Sequence, residues 1–136
     1  LYDKLDKSLF NTKSGKIVKK LYEEMNTVAI GSVAPDFSAP SPDGKMISLK
    51  ESMGKVTLID FWASWCAPCR MVVPIVEEIA SERRDIKVGK INVDEEPELA
   101  NKFSIMSIPT LVVMKNGKIV QQVSGARPKN AILEML

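Results

Sequence analysis

Two cysteines, Cys66 and Cys69, are the residues of this chain best suited to covalent chemistry. Ala67 and Pro68 separate them, at the point where the apolar run from Val56 to Phe61 gives way to a helical pattern. Two intervening residues at a helix start let the sulfurs close a small disulfide ring, and the helix amides favour a thiolate at the first sulfur. We therefore expect Cys66 to attack a disulfide and Cys69, one turn further in, to resolve the mixed disulfide.

Zinc binding is the alternative for this cysteine spacing, and a zinc site needs four ligands. The chain contains no other cysteine and no histidine, so a zinc ion would have to be shared between two subunits. The absence of histidine also removes Ser-His-Asp and Cys-His nucleophiles and histidine-based pH switches. We expect neither a metal nor a cofactor.

A single carboxylate, Asp60, interrupts the apolar strand pattern six residues before Cys66. A buried carboxylate is costly and is therefore a candidate functional group. Asp60 is expected to lie behind the cysteine pair and to accept a proton from Cys69. The alternative is a hydrogen-bonded polar residue at the end of the strand.

Apolar residues also flank the cysteine pair. Trp62 and Trp65 are expected to bracket the approach to Cys66 as a flat rim for a substrate chain, although Trp62 at a strand end also suits ordinary packing. Ile108-Pro109 precedes an apolar strand and could place the Ile108 backbone beside the sulfurs, where it would hydrogen-bond an extended substrate. Periodicity alone favours a trans bond before Pro109.

Composition points to one globular domain of 136 residues, with 45% hydrophobic and 26% charged residues. Nineteen Lys and Arg against 17 Asp and Glu give a net charge of +2, which provides no electrostatic reason to expect nucleic acid or an anionic membrane as partner. A monomer is the default expectation. Since the chain starts at Leu1 and its last helical pattern stops at Leu136, both ends are expected to be trimmed.

The first part of the chain has a helical pattern. Apolar spacing predicts an N-terminal helical extension over residues 1–30, broken at Asn11–Gly15, with Ser14 as the cap of a second helix. The extension is expected to pack on the domain formed by residues 31–136, and binding of a partner by an amphipathic helix is the alternative. A β-hairpin is predicted next, its strands Phe37–Pro40 and Lys45–Leu49 joined by a turn at Pro42-Asp43-Gly44.

The rest of the chain alternates strand and helix patterns. The order predicts an α/β fold with a central mixed sheet, in which a parallel pair of strands is completed by an antiparallel hairpin at Asn116-Gly117 and helices cover the faces. The predicted strands are Val56–Phe61, Ile86–Val93, Thr110–Lys115 and Lys118–Ser124, and the predicted helices are 68–83, Pro97–Phe103 and one that starts at Pro128.

From Lys55 to Leu136 the sequence resembles the thioredoxin family. The resemblance is carried by several motifs in the right order: Val-Thr-Leu-Ile-Asp-Phe-Trp-Ala-Ser-Trp-Cys-Ala-Pro-Cys-Arg, Pro74, Lys90-Ile-Asn-Val-Asp94, Ser107-Ile-Pro-Thr110, Asn116-Gly117-Lys118 and Gly125-Ala126. It implies a thioredoxin fold. It also implies that the Ile108-Pro109 bond is cis and faces the disulfide, against the expectation from periodicity.

Roles for single residues follow from the same resemblance. It implies that Cys66 is the nucleophile and Cys69 the resolving thiol, that Asp60 is the buried acid linked to deprotonation of Cys69, and that Lys90 tunes this acid. The implied substrate groove is formed by Trp65, Ala67, Pro68, Ile108, Pro109 and Gly125.

The sequence departs from the thioredoxin pattern in two places. Ala67-Pro68 replaces the usual Gly-Pro between the cysteines, which affects the potential and the substrate fit. Residues 31–55 are instead similar to the TlpA/ResA group of membrane-anchored thiol-disulfide oxidoreductases, yet that group's insertion has no room between Glu78 and Lys87. The front half therefore suggests an extracytoplasmic or periplasmic setting, whereas the back half would suit the cytoplasm.

The leading functional hypothesis is an enzyme that reduces protein disulfides and receives electrons from a reductase, either thioredoxin reductase or a membrane thiol transporter. An extracytoplasmic oxidoreductase or isomerase of specific partners is the nearest alternative. A peroxidase is suggested by Ala34–Phe37, but Ala63 stands where a peroxidatic cysteine would need a hydroxyl donor. The third alternative is a binding module without catalysis.

Overall fold

A four-stranded mixed sheet forms the centre of the computed structural model, which describes residues 2–40 and 43–136. Two short 3-10 helices, Tyr2–Lys4 and Lys7–Asn11, precede the other elements. In chain order these are α1 (Lys13–Asn26), β1 (Ser38–Pro40), β2 (Met46–Ser48), α2 (Leu49–Ser52), β3 (Val56–Trp62), α3 (Ala67–Glu82), β4 (Lys87–Asn92), α4 (Pro97–Lys102), β5 (Thr110–Lys115), β6 (Lys118–Ser124) and α5 (Lys129–Met135).

The strand order in the main sheet is β4-β3-β5-β6. Strands β3 and β4 are parallel, whereas β5 runs antiparallel to both β3 and β6. This register places Asp60 of β3 opposite Lys90 of β4 on one side and Leu111 of β5 on the other. The predicted α/β fold with a parallel pair and a closing antiparallel hairpin is confirmed.

Both faces of the central strand β3 are buried, which explains its nearly continuous apolar character. Ile59 and Phe61 face one layer, where Phe61 packs against Phe103 with ring centroids 5.4 Å apart. Leu58 faces the other layer, formed by α3 and α5 through Val72, Val76, Ile79 and Ile132. Because side chains alternate along a strand, Asp60 shares the Leu58 face and therefore lies under α3.

The N-terminal extension is helical as predicted, but its cap differs. The Thr12 side chain accepts a hydrogen bond from the Gly15 amide at 3.0 Å, so Thr12 rather than Ser14 caps α1. Thr12 has the extended backbone that an N-cap requires, whereas Ser14 lies inside the helix. No residue of α1 is buried. No helix in the described part of the chain combines the length and apolar character needed to cross a membrane.

The predicted hairpin forms a separate two-stranded antiparallel sheet of β1 and β2. Its turn was predicted at Pro42-Asp43-Gly44, and Pro42 lies outside the described residues. The one-turn helix α2 was not expected, because a single turn is too short to leave an apolar period. The Ser48 side chain caps it by accepting from the Glu51 amide at 3.1 Å.

Candidate redox site

The two cysteine sulfurs are joined in a disulfide at the start of α3, with 5.2 Å between the Cα atoms. Cys66 is the N-cap residue of this helix, and Cys69 lies in its first turn. The Cys69 amide donates a hydrogen bond to the Cys66 sulfur, with 3.2 Å between N and S. The first-turn amide group is therefore directed at the sulfur of Cys66, the residue that was expected to attack a disulfide.

The environments of the two cysteines differ. Cys69 is completely buried, whereas Cys66 is 4% exposed and borders a cleft of about 490 Å³. The cleft is lined by Trp65, Cys66, Ala67, Pro68, Val93, Ala100, Ile105, Met106, Ser107 and Ile108. Only Cys66 of the pair is therefore presented to an incoming chain.

Asp60 is completely buried, and neither of its carboxylate oxygens has a hydrogen-bond partner among the described residues. Burial raises its pKa from the usual 3.8 to about 6, and the positive charge of Lys90 opposes part of this rise. An acid of this strength can exchange a proton near neutral pH, as acid–base catalysis requires.

Lys90 lies opposite Asp60 in the β3–β4 pair, as the resemblance implies. Its ammonium group is bonded to the Glu77 carboxylate of α3 and lies 5.8 Å from the centroid of the Trp62 ring. The structure thus adds Glu77 as the ion-pair partner of Lys90, a residue that the sequence did not indicate.

Trp65 is 67% exposed at the mouth of the cleft. Its indole Nε1 donates a hydrogen bond to Asp94 Oδ2 at 2.8 Å, which fixes the ring beside Cys66. Trp62 is half-buried and packs against the cluster of Ala63, Cys66 and Cys69, and it does not line the cleft. Of the two tryptophans, only Trp65 contributes to the expected rim.

The loop opposite the cysteines contains a cis bond between Ile108 and Pro109, as the resemblance implies and against the expectation from periodicity. The Ile108 carbonyl oxygen is 3.8 Å from the Cys66 sulfur, a contact and not a hydrogen bond because a disulfide sulfur carries no proton. Gly125 donates its amide to the Pro109 carbonyl at 2.8 Å. Its φ of +91° explains why glycine occupies this position.

The sequence did not indicate several residues that the structure brings to the site, among them Glu77, Asp94 and Met106. The first two contact predicted residues through the tertiary structure, and nothing in the local sequence indicates such pairs. Met106 is 94% exposed at the rim of the cleft. Its place directly before Ser107-Ile108-Pro109 is the one signal that could have drawn attention to it.

Comparisons with known proteins agree with this geometry. The thioredoxin family model matches residues 48–136. The thioredoxin of Mycobacterium tuberculosis is 50% identical over 86 residues, covering 62% of this chain and 74% of that protein. The thioredoxin of Listeria monocytogenes is 47% identical over 88 residues, covering 64% and 85%. The X-ray structure of Fasciola hepatica thioredoxin superimposes with a TM-score of 0.59 at 38% identity, covering 63% and 82%.

A cysteine pair at the start of the helix that follows the central strand, within this mixed sheet, defines a thiol-disulfide oxidoreductase. The chain belongs to the thioredoxin family. The matched region begins at residue 48, so the similarity of residues 31–55 to the TlpA/ResA group stays a prediction.

Proposed function

We propose that this oxidoreductase reduces disulfides of protein substrates through Cys66-Ala67-Pro68-Cys69. The observation that carries the proposal is the asymmetry of the pair, in which Cys66 borders the cleft and accepts the Cys69 amide while Cys69 is fully buried. A thiolate at a helix start is favoured by the aligned amides, so the sulfur at the cleft is also the reactive one.

The reaction runs in two exchanges. The Cys66 thiolate attacks one sulfur of the substrate disulfide, which forms a mixed disulfide and releases the other substrate sulfur as a thiolate. Cys69 then loses its proton and attacks the Cys66 sulfur, which forms the Cys66–Cys69 disulfide and releases the second substrate thiolate. Two electrons pass to the substrate, and the structure corresponds to the oxidised product of this cycle.

Asp60 is proposed to accept the proton that Cys69 loses, and Lys90 to adjust how strongly Asp60 binds it. Support comes from the position of Asp60 on the sheet face covered by α3, from its pKa of about 6 and from the place of Lys90 directly opposite.

The substrate chain is proposed to lie across Trp65, Ala67, Pro68, Ile108, Pro109 and Gly125. Ile108 would offer its backbone to an extended segment, as in strand addition. Residues 31–136 would form the catalytic domain and residues 1–30 a helical extension. A reductase, either thioredoxin reductase or a membrane thiol transporter, would return the disulfide to the dithiol.

Trapping of the mixed disulfide tests this assignment. Each single serine variant, Cys66→Ser and Cys69→Ser, is reduced and then incubated with native insulin, whose disulfides are intact. Covalent adducts are measured by mass spectrometry. Cys69→Ser should accumulate a covalent adduct through Cys66, since the resolving sulfur is absent, whereas Cys66→Ser should form none. Each variant is the matched control of the other, and an adduct confined to Cys66→Ser would overturn the assignment.

A further inference from the structure

We propose that Glu77 is a positioning residue that holds the Lys90 ammonium group away from Asp60 and so controls how readily Asp60 gives up its proton. This inference rests on the role of Asp60 in the proposed function. It concerns a residue outside the cysteine cleft that touches neither the sulfurs nor a substrate.

The contacts of Lys90 carry the inference. Lys90 and Asp60 are direct neighbours in the β3–β4 register, and yet Asp60 accepts no hydrogen bond from any described residue. The Lys90 ammonium group is instead bonded to Glu77, and a third of the Lys90 side chain is exposed. Lys90 also lines a solvent-open groove of about 720 Å³ together with Trp62. Its charge therefore points toward the protein surface, although its backbone lies beside the buried acid.

No other charged group among the described neighbours of Asp60 acts on it in place of Lys90 and Glu77. Leu111, the neighbour of Asp60 on β5, is uncharged, and the joined cysteines do not titrate. On α3, Arg70 is exposed, while Glu78 and Glu82 both pair with Lys129 at 2.9 and 2.7 Å. Lys90 is the charge that acts on Asp60, and Glu77 acts on Asp60 through Lys90.

The direction of the effect follows from electrostatics. Loss of the Glu77 charge frees Lys90 to turn toward Asp60. The approach of this positive charge favours the ionised form of Asp60, and the attraction is strong because the acid is shielded from water. An Asp60 that ionises more easily is a weaker base for the Cys69 proton. Glu77 thus keeps Asp60 effective near neutral pH.

The test is a carbon-13 NMR titration of the Asp60 carboxyl group in the oxidised protein, with Asp60→Asn identifying the resonance. We expect Glu77→Gln to lower the midpoint of this titration by about half a pH unit or more. Glu78→Gln, the matched loss of charge at the next position on α3, should leave the midpoint unchanged because Glu78 pairs with Lys129. The double variant of Glu77→Gln and Lys90→Met should have the same Asp60 titration midpoint as Lys90→Met alone, because Glu77 acts on Asp60 through Lys90.

Two results would overturn the inference: an unchanged or raised midpoint in Glu77→Gln, or an equal decrease in Glu78→Gln. Insulin turnover by the same proteins separates this failure from a failure of the proposed function. If Asp60→Asn slows turnover while Glu77→Gln leaves the midpoint unchanged, Asp60 keeps its role and Glu77 loses its own. If Glu77→Gln lowers the midpoint while Asp60→Asn turns over normally, Glu77 positions Lys90 but Asp60 is not the proton acceptor.

Discussion

The main-chain amide of Cys69 donates a hydrogen bond to the sulfur of Cys66, with 3.2 Å between nitrogen and sulfur. The bond joins the first turn of α3 to the residue that caps it, so the partial positive charge of the helix start lies at the Cys66 sulfur. The same helix buries Cys69 completely. The start of α3 therefore gives the two cysteines different environments: Cys66 accepts a main-chain hydrogen bond, and Cys69 is shielded from solvent.

This inequality predicts selective alkylation of the reduced protein. We expect a brief pulse of iodoacetamide at pH 7 to modify Cys66 and leave Cys69 free, because the helix-start amides favour a thiolate at Cys66 and complete burial shields Cys69. Peptide mass mapping locates the label. The fully unfolded protein is the control and should be labelled equally at both cysteines. Equal labelling in the folded protein would contradict the asymmetry.

Asp60 makes stability depend on pH. Its pKa is higher in the folded protein, about 6, than the ordinary value of 3.8, so ionisation of Asp60 weakens the fold. The stabilising contribution of the protonated Asp60 carboxyl group is fully present below pH 3.8 and is lost as the pH rises through 6. A pKa shift of this size corresponds to about 3 kcal/mol of folding free energy. Asp60→Asn should therefore raise the free energy of unfolding of the oxidised protein by about 2 to 3 kcal/mol at pH 8.

Urea unfolding of both proteins at pH 4 and pH 8 checks this prediction. The difference between wild type and Asp60→Asn should be small at pH 4, where Asp60 is protonated, and large at pH 8. A difference that does not change between the two pH values would mean that ionisation of Asp60 is not its source.

Trp65 is expected to bind protein substrates and not to take part in the exchange itself. Its large exposed ring at the cleft mouth offers the kind of contact that dominates protein interfaces. Trp65→Ala should lower kcat/KM for insulin about tenfold, while reduction of a small aromatic disulfide changes little. An equal loss with both substrates would place Trp65 in the chemical step instead.

The exposed position of Met106 at the rim of the cleft predicts a second contact with the substrate, independent of Trp65. The side chain is 94% exposed at the rim of the cleft, whereas Met46 on β2 is 65% exposed and does not line the cleft. We expect Met106→Ala to lower kcat/KM for insulin by about threefold to tenfold and the matched variant Met46→Ala to have no effect. Equal kinetics of the two variants would show that the rim at Met106 does not touch the substrate.

The sequence indicated the fold well because each main element has a local signature. Strand β3 is an apolar run, Asn116-Gly117 marks the hairpin, and the cysteines stand at a helix start. The N-terminal cap was misplaced because Thr12 and Ser14 are both good capping residues, and only the backbone of Thr12 is extended. The cis isomer of the Ile108-Pro109 bond came from the family resemblance, since the pattern of the chain alone favoured the commoner trans isomer.

The charged surroundings of the site could not be read from the chain. Glu77 meets Lys90 across 13 positions, and Asp94 meets Trp65 across 29. Both pairs depend on how a helix or a loop packs beside the sheet. A local sequence pattern shows which residues are charged but not which of them meet in the folded protein. The sequence therefore predicted Asp60 and Lys90 as site residues, but not Glu77, whose carboxylate pairs with Lys90.

The reduction potential of the Cys66–Cys69 pair decides whether it works as a disulfide reductant. The protein is equilibrated in graded dithiothreitol and glutathione buffers, and the free thiols are trapped and counted by mass. We expect an intramolecular disulfide with a potential well below about −220 mV. A potential above roughly −180 mV would make the pair an oxidant or an isomerase centre and contradict its role as a reductant.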